Sequence, residues 1–200
     1  MSEYKVDVPE GQSGEWVISR FTVSAEDSKR TELSAMLSGR GYVPSGEYTK
    51  LVNRYGIMMS DTPDEIWDNL EFIHQAKGHV LVTGLGLGVV IQALLRKDGV
   101  ESVTVIEKSD DVIFLVEDHY QKLASELGKE FIVLEGDCFE FDVGELPREK
   151  YDYIWHDVWQ DLCSDNLEEM GILKRKYKKF VNEAKNQQCW GFYLLMRHVR

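Results

Sequence analysis

From residue 79 onward the apolar positions follow two alternating rhythms. Short runs that are apolar almost throughout, "HVLVTG", "SVTVIE", "EFIVLEGD" and "YDYIWHD", alternate with longer stretches in which apolar residues recur every three or four positions: "VVIQALLRKDG", "DDVIFLVEDHYQKLASELG" and "NLEEMGILKRKYKKFVNEAK". A strand buried on both faces needs no polar alternation, whereas a helix lying over it needs one apolar stripe. The pattern predicts strands and helices in turn, closed by a last strand over "CWGFYLLMRH". Its architecture is α/β: a mostly parallel sheet with helices on both faces. In the last helix Leu173, Tyr177, Phe180 and Val181 form the stripe that would face the sheet. Lys174, Arg175, Lys178 and Lys179 fall outside it.

Upstream of residue 78 the rhythm differs. "EWVISRFTVS" predicts a strand, and "AEDSKRTELSAMLSG" a helix capped by Ser24 and ending at Gly39. "EYTKLVNRYGIMMS" predicts two short strands turning near residues 53–56. "SDTPDEIWDNLEFIHQA" opens with helix-start chemistry, Ser60 or Asp61 as N-cap and Pro63 in the first turn. The change of rhythm suggests one subdivision: an α+β extension over 1–77, serving as substrate lid or oligomerisation element, and a larger unit over 78–200.

Composition narrows the function classes. Two hundred residues, 43% of them hydrophobic, are enough for one sizeable core. No run of about 18 uncharged apolar residues occurs. The start "MSEYKVDVPEGQSGEW" lacks the basic-then-apolar order of a signal peptide, so a soluble, cytoplasmic chain without membrane partners is expected. Cys138, Cys163 and Cys189 are widely spaced, which indicates neither a disulfide framework nor a thiolate metal site, and no metal is expected. A formal charge of −12 repels a polyanion over most of the surface and argues against nucleic acid as partner. The basic run within Leu173–Phe180 is expected to be a solvated face balancing the acidic start of its own helix, as the helix dipole favours; a patch for RNA or an acidic partner is the alternative.

The candidate chemistry begins at "TGLGLG", with Gly84, Gly86 and Gly88 between the first strand and the first helix of the alternating part. Glycine removes the side chain that would hold a ligand off, and strand-to-helix loops are frequent nucleotide sites in open parallel sheets. The dinucleotide fingerprint G-x-G-x-x-G would need glycine where Val89 stands. G-x-G-x-G after an apolar strand is instead the pattern of S-adenosylmethionine (SAM) sites. Glu107 closes the second strand, 19 residues beyond Gly88, where a carboxylate can accept both hydroxyls of a ribose. Asp137, after Gly136 at the end of the third strand, could accept from an adenine amino group while Cys138 or Phe139 lies against the base. Singly, each has a plainer explanation, a packed turn or a solvated strand end. Three successive strand ends carrying the expected group favour an adenosine-type ligand.

Over about Tyr48 to Asp161 these motifs resemble class I SAM-dependent methyltransferases, most closely the spermidine synthase-like branch. "HVLVTGLGLG", "VESVTVIEKSDDVIFLV", "FIVLEGDCFEF" and "YDYIWHD" follow that branch's order and spacing, and "YGIMMSDTPDE" looks like the segment closing its amino-terminal strands. The resemblance implies a Rossmann-like SAM-methyltransferase fold, abbreviated at its C-terminal end. It also implies SAM, or decarboxylated SAM, held by Thr83, Gly84, Leu85, Gly86, Gly88, Glu107, Lys108, Asp137 and Cys138. Thr83 stands where class I enzymes commonly carry an acidic residue; its hydroxyl can accept a bond from the donor's ammonium but brings no charge.

Other departures concern the acceptor side. The branch has two aspartates three residues apart after the fourth strand; Asp157 fits the first, while position 160 is Gln160 and Asp161 comes one step late. Its active-site tyrosine falls on Asp68 and a nearby glutamine on Met59, so most of its diamine machinery is absent or altered. Asp157 is the catalytic candidate, able to take a proton from an attacking amine or hydroxyl. His156 would point away from it by strand alternation and is expected to be a packed or solvent-edge histidine, whereas Trp159 could wall the acceptor pocket. "VWQD" is not the Asn-Pro-Pro-aromatic motif of enzymes that methylate exocyclic amines in nucleic acid. The function expected is that of a SAM-binding methyltransferase acting on a small-molecule or protein acceptor. An aminopropyltransferase and a catalytically silent nucleoside-binding or partner-binding protein are the alternatives. An exposed sheet edge would favour a homodimer.

Overall fold

In the computed structural model, which describes residues 4–198, the strands fall into two sheets. The first is antiparallel, in the order β1 (Gly11–Ser13), β2 (Trp16–Val23), β3 (Gly46–Asn53), β4 (Gly56–Ser60), with α1 (Ala25–Ser38) inserted between β2 and β3. After α2 (Pro63–Gln75) the chain builds β5 (Gly78–Thr83), α3 (Val89–Leu95), β6 (Val100–Glu107), α4 (Asp110–Glu126), β7 (Glu130–Glu135), β8 (Tyr153–His156), α5 (Asn166–Tyr177), β9 (Gln187–Cys189) and α6 (Phe192–His198). The second sheet is parallel throughout and runs β7-β6-β5-β8-β9. Successive strands are laid to one side of β5 and then to the other. The order therefore reverses between β5 and β8, and a crevice opens beyond their carboxyl ends.

The apolar runs form strands because both faces of this sheet are covered. Val80, Val82, Val103, Val105 and Trp155 point to one side, into a cluster with residues of α2, α3 and α4. Leu81, Ile106 and Ile154 point to the other, onto Leu173 and Tyr177 of α5. Each such side chain contributes roughly 1.5–3 kcal/mol by leaving water. The antiparallel sheet and the segment before it join the first side: Ile18 and Leu51 of the sheet, with Val6 and Val8 ahead of β1, belong to the same cluster. Its β1 edge rests on α4, where the Ser13 hydroxyl donates to Asp111 at 2.6 Å.

Several expectations are corrected. "CWGFYLLMRH" is not one strand: β9 ends at Cys189, Gly191 turns with φ +70°, and α6 follows. An apolar run of that length fits either element, and the helix places Phe192 and Leu195, at i and i+3, on Met170 and Cys189. The helix expected to run on to residue 185 stops as α5 at Tyr177, with a 3₁₀ turn over Lys178–Phe180. The chain is drawn out there because it pairs with the segment entering β8: Tyr151 N–H donates to Phe180 C=O at 2.7 Å and Asn182 N–H donates to Tyr151 C=O at 2.9 Å. α2 starts from Thr62, whose side chain makes no capping bond; Glu65 instead reaches back to the Ser60 N–H and hydroxyl at 2.6 and 2.8 Å. Asp61 is buried, accepting from the N–H groups of Val6 and Thr49. β1, three residues long, had no pattern of its own. No described helix is long and apolar enough to cross a membrane.

Candidate functional site

The crevice at the strand ends has a volume of about 660 Å³. Its floor is the loop from β5 to α3, in which Gly84, Gly86 and Gly88 all have positive φ, +95°, +50° and +79°. A side chain there would be strained whatever the space. The surroundings exclude it as well: a Cβ on Gly84 would lie 1.9 Å from the Asp157 carbonyl oxygen, one on Gly86 2.9 Å from Met59 Sδ, and one on Gly88 2.2 Å from the Tyr120 ring. Packing thus explains Gly84 and Gly88 without a ligand, whereas at Gly86 the neighbour is the flexible end of Met59 and the positive φ alone favours glycine. Gly84 and Gly86 nevertheless line the crevice, while Leu85 and Leu87 are buried beneath it. Most loop N–H groups already have partners: Gly84 donates to Ile106 C=O, Leu85 to Glu107, Leu87 to Met59 Sδ and Gly88 to Leu85 C=O.

Glu107, at the end of β6, accepts from Leu85 N–H at 2.7 Å through Oε2 and from Ser109 N–H at 2.9 Å through Oε1. An ionised carboxylate offers about four lone-pair sites, so one remains on each oxygen, side by side at the crevice wall. Asp137, after β7, is fixed by Phe139 N–H donating to Oδ1 at 2.9 Å. Cys138, Phe139 and Lys108 complete this part of the lining. Burial pushes the Cys138 thiol up to about 12, so it is no nucleophile at neutral pH.

Asp157 follows β8 and borders the crevice, half-buried. Burial pushes its carboxyl up to about 7; the nearby negative charges of Glu65 and Asp68 on α2 add to the rise, and the Trp155 indole offsets part of it. His156 points the other way into the core and is fully buried. The Gln187 amide donates to its Nε2 at 3.0 Å, which leaves the proton on Nδ1, 3.0 Å from the Thr83 hydroxyl. Burial holds this imidazole neutral, its pKa down to about 3. Thr83 therefore does not face the crevice: it is fully buried and its hydroxyl is spent on His156, so the expected bond to a ligand ammonium is not available.

The antiparallel sheet covers the opening. Trp16 of β2, Asn53 and Met59 from the β3–β4 hairpin and Tyr55 at its turn line the crevice opposite the strand ends. Met59 sits directly on the glycine loop, its sulfur 3.2 Å from Leu87 N. On the far side Trp159 and Gln160 line it, and Trp159 Nε1 donates to Glu169 of α5 at 2.6 Å. Gly84, Gly86, Glu107, Lys108, Asp137, Cys138, Asp157, Trp159 and Met59 are thus brought together. Asp161 is exposed and outside the lining. Asp68 borders a second cleft and is paired with Arg40 at 2.6 Å. Sequence reasoning missed Trp16, Tyr55, Glu65 and Glu169, because nothing in their local patterns separates them from ordinary strand, turn and helix positions. No group of three or more His, Cys, Asp or Glu suited to a metal ion occurs among the described residues.

No protein-family model matches the chain, and no curated protein matches it in sequence. Among solved structures it is similar to the N-terminal domain of EvdMO1 with SAH bound, at 17% identity and a TM-score of 0.40, over 59% of this chain and 45% of that one. It is also similar to the plantazolicin methyltransferase BpumL in complex with SAH, at 17% identity and a TM-score of 0.36, over 58% and 39%. A third is a Staphylococcus aureus protein provisionally described as a caffeoyl-CoA O-methyltransferase, at 18% identity and a TM-score of 0.41, over 80% and 63%. The chain spans less than two thirds of the length of each.

Proposed function

We propose that the crevice binds S-adenosylmethionine and that the chain transfers its methyl group to a small-molecule or protein acceptor. One observation carries this: the carboxylates Glu107, Asp137 and Asp157, at the ends of three neighbouring or near-neighbouring strands, meet the glycine loop around a single crevice at the reversal of strand order. The residues fit an adenosyl compound. Glu107 keeps two adjacent acceptor sites for the ribose hydroxyls, and Asp137 with Phe139 suits the base. When bound, the cofactor supplies a carbon activated by a positively charged sulfur.

The chain's own groups do the rest. Asp157 takes the proton that the attacking amine or hydroxyl must lose, and a carboxyl titrating near 7 is well matched to that task at neutral pH. Because only its ionised form accepts a proton, turnover should rise with pH through about 7. The antiparallel sheet forms the lid, and its β3–β4 hairpin keeps water from the reacting atoms.

A second reading, an aminopropyltransferase of the spermidine synthase-like kind using decarboxylated SAM, is favoured by the charge of the lining: Glu107, Asp137, Asp157 and Glu169 against Lys108 alone. Decarboxylated SAM carries one more net positive charge than SAM. Calorimetric titration with SAM, decarboxylated SAM, S-adenosylhomocysteine and methylthioadenosine separates the possibilities. SAM binding with turnover supports the first reading, and preference for decarboxylated SAM the second. Equal, weak affinity for all four would reject both in favour of a catalytically silent protein. Asp157→Asn should leave donor affinity within about twofold and abolish turnover; loss of binding would reject Asp157 as proton acceptor.

A further inference from the structure

We infer that Met59 occupies the seat of the donor's amino-acid tail, so that a tailed donor must displace its thioether whereas a bare nucleoside need not. This rests on the donor reading above, which lays the ligand out along the sheet order β7-β6-β5-β8. Asp137 and Phe139 after β7 take the base, and Glu107 at the end of β6 takes the ribose. With strands about 4.8 Å apart, the chain beyond the ribose comes next over the end of β5, on the loop that carries Gly84 and Gly86. Met59 is already there: the Leu87 N–H donates to its sulfur at 3.2 Å, and a Cβ on Gly86 would meet Sδ at 2.9 Å and Cε at 3.0 Å.

That contact is of a kind that exchanges. A thioether is a weak acceptor, so the Leu87 N–H would pass to a ligand carboxylate, which forms a charge-assisted bond roughly twice as strong. The other loop N–H groups have oxygen partners: Ile106 C=O for Gly84, Glu107 for Leu85 and Leu85 C=O for Gly88. An unbranched methionine side chain can swing away by rotamer changes alone. Its backbone stays pinned, Met59 pairing with Leu51 and the adjacent Ser60 bonded to Glu65 at 2.6 and 2.8 Å. The register shifts between Leu51 and Val52, and because Val52 pairs with Ile57, Met58 is left as an extra residue in β4. Consecutive strand residues normally face opposite ways, yet Met58 and Met59 both line the crevice, the re-aiming that a bulge produces. The Met59 side chain has the same run of two methylenes, sulfur and methyl as the methionine part of the donor, so the two compete for one space.

Calorimetric titration of wild type and Met59→Ala with S-adenosylhomocysteine and with adenosine tests this. Vacating the seat should tighten S-adenosylhomocysteine roughly tenfold, because the apparent affinity of the wild type is reduced by the fraction of molecules in which the seat is open. Adenosine, which has no tail, should bind both proteins within about twofold. A second readout needs no loss of packing: in wild-type protein carrying carbon-13 at the methionine methyl groups, the Met59 signal is identified as the one missing from Met59→Leu. It should move on adding S-adenosylhomocysteine and stay in place with adenosine. An unmoved Met59 signal at saturating S-adenosylhomocysteine would overturn the inference. So would unchanged or weaker S-adenosylhomocysteine binding by Met59→Ala, the latter making Met59 a wall of the site. If neither ligand binds either protein, the donor reading itself fails and the tail seat with it. Adenosine binding without S-adenosylhomocysteine binding in both proteins would keep the nucleoside half of that reading and overturn the tail seat alone.

Discussion

Replacing Asp157 by Asn should remove turnover and at the same time stabilise the protein at alkaline pH. The folded carboxyl titrates near 7, against 3.8 as its ordinary value, chiefly because burial penalises its charge. Raised in the folded state, it costs nothing below about pH 4, where both states are protonated. It costs progressively more as the pH climbs toward 7, since the unfolded chain ionises first, and the penalty is complete above about 7. At 1.36 kcal/mol per pH unit, a shift of this size destabilises the wild type by about 3 kcal/mol between pH 5 and pH 8.5. The negative charges of Glu65 and Asp68 on α2 add to the rise, and the Glu65 carboxyl is itself raised by burial. Urea unfolding of wild type and variant at pH 5 and pH 8.5 reads the effect. The variant should gain at least about 2 kcal/mol relative to wild type on going to pH 8.5. A stability difference independent of pH would refute the burial argument and, with it, the proton-accepting role built on this carboxyl.

Three further substitutions probe the rest of the crevice. Thr83→Val should leave S-adenosylhomocysteine affinity within about twofold, since the hydroxyl serves His156, yet cost about 1–3 kcal/mol in urea unfolding by stranding the imidazole N–H. Glu107→Gln can no longer accept from both Leu85 and Ser109 and loses charge toward a ribose, so donor affinity by calorimetry should fall about 10- to 100-fold. Gly84→Ala puts a methyl group against the Asp157 carbonyl at φ +95°; loss of donor binding with about 1–3 kcal/mol or more of stability is expected, read by calorimetry and thermal unfolding.

The alternating fold was legible because strands such as 80–82 and helices such as α4 differ in period and in nothing else that matters to a buried sheet. Where the period fails, so does the reading. Phe192 to Met196 are apolar enough for either element, and only their neighbours Met170 and Cys189 decide for the helix. The end of α5 depended on Tyr151, distant in sequence, pulling residues 180–182 into extended pairing. The carboxylates at the strand ends were legible from spacing alone. Thr83 was misjudged because a strand's last residue can face the core or the opening, and His156 on the neighbouring strand took its hydroxyl inward. The roof was illegible: Trp16 and Tyr55 reach the crevice only because a separate sheet folds over it.

The most direct measurement is a crystal structure of the protein grown with saturating S-adenosylhomocysteine. The expected result is the nucleoside lying across Gly84 and Gly86, both ribose hydroxyls donating to Glu107, the base beside Asp137 and Phe139, and the sulfur facing Asp157. A crevice empty under those conditions, or one in which Met59 and the β3–β4 hairpin still cover the loop with the ligand bound elsewhere, would contradict the claim that this fold holds an adenosyl donor there.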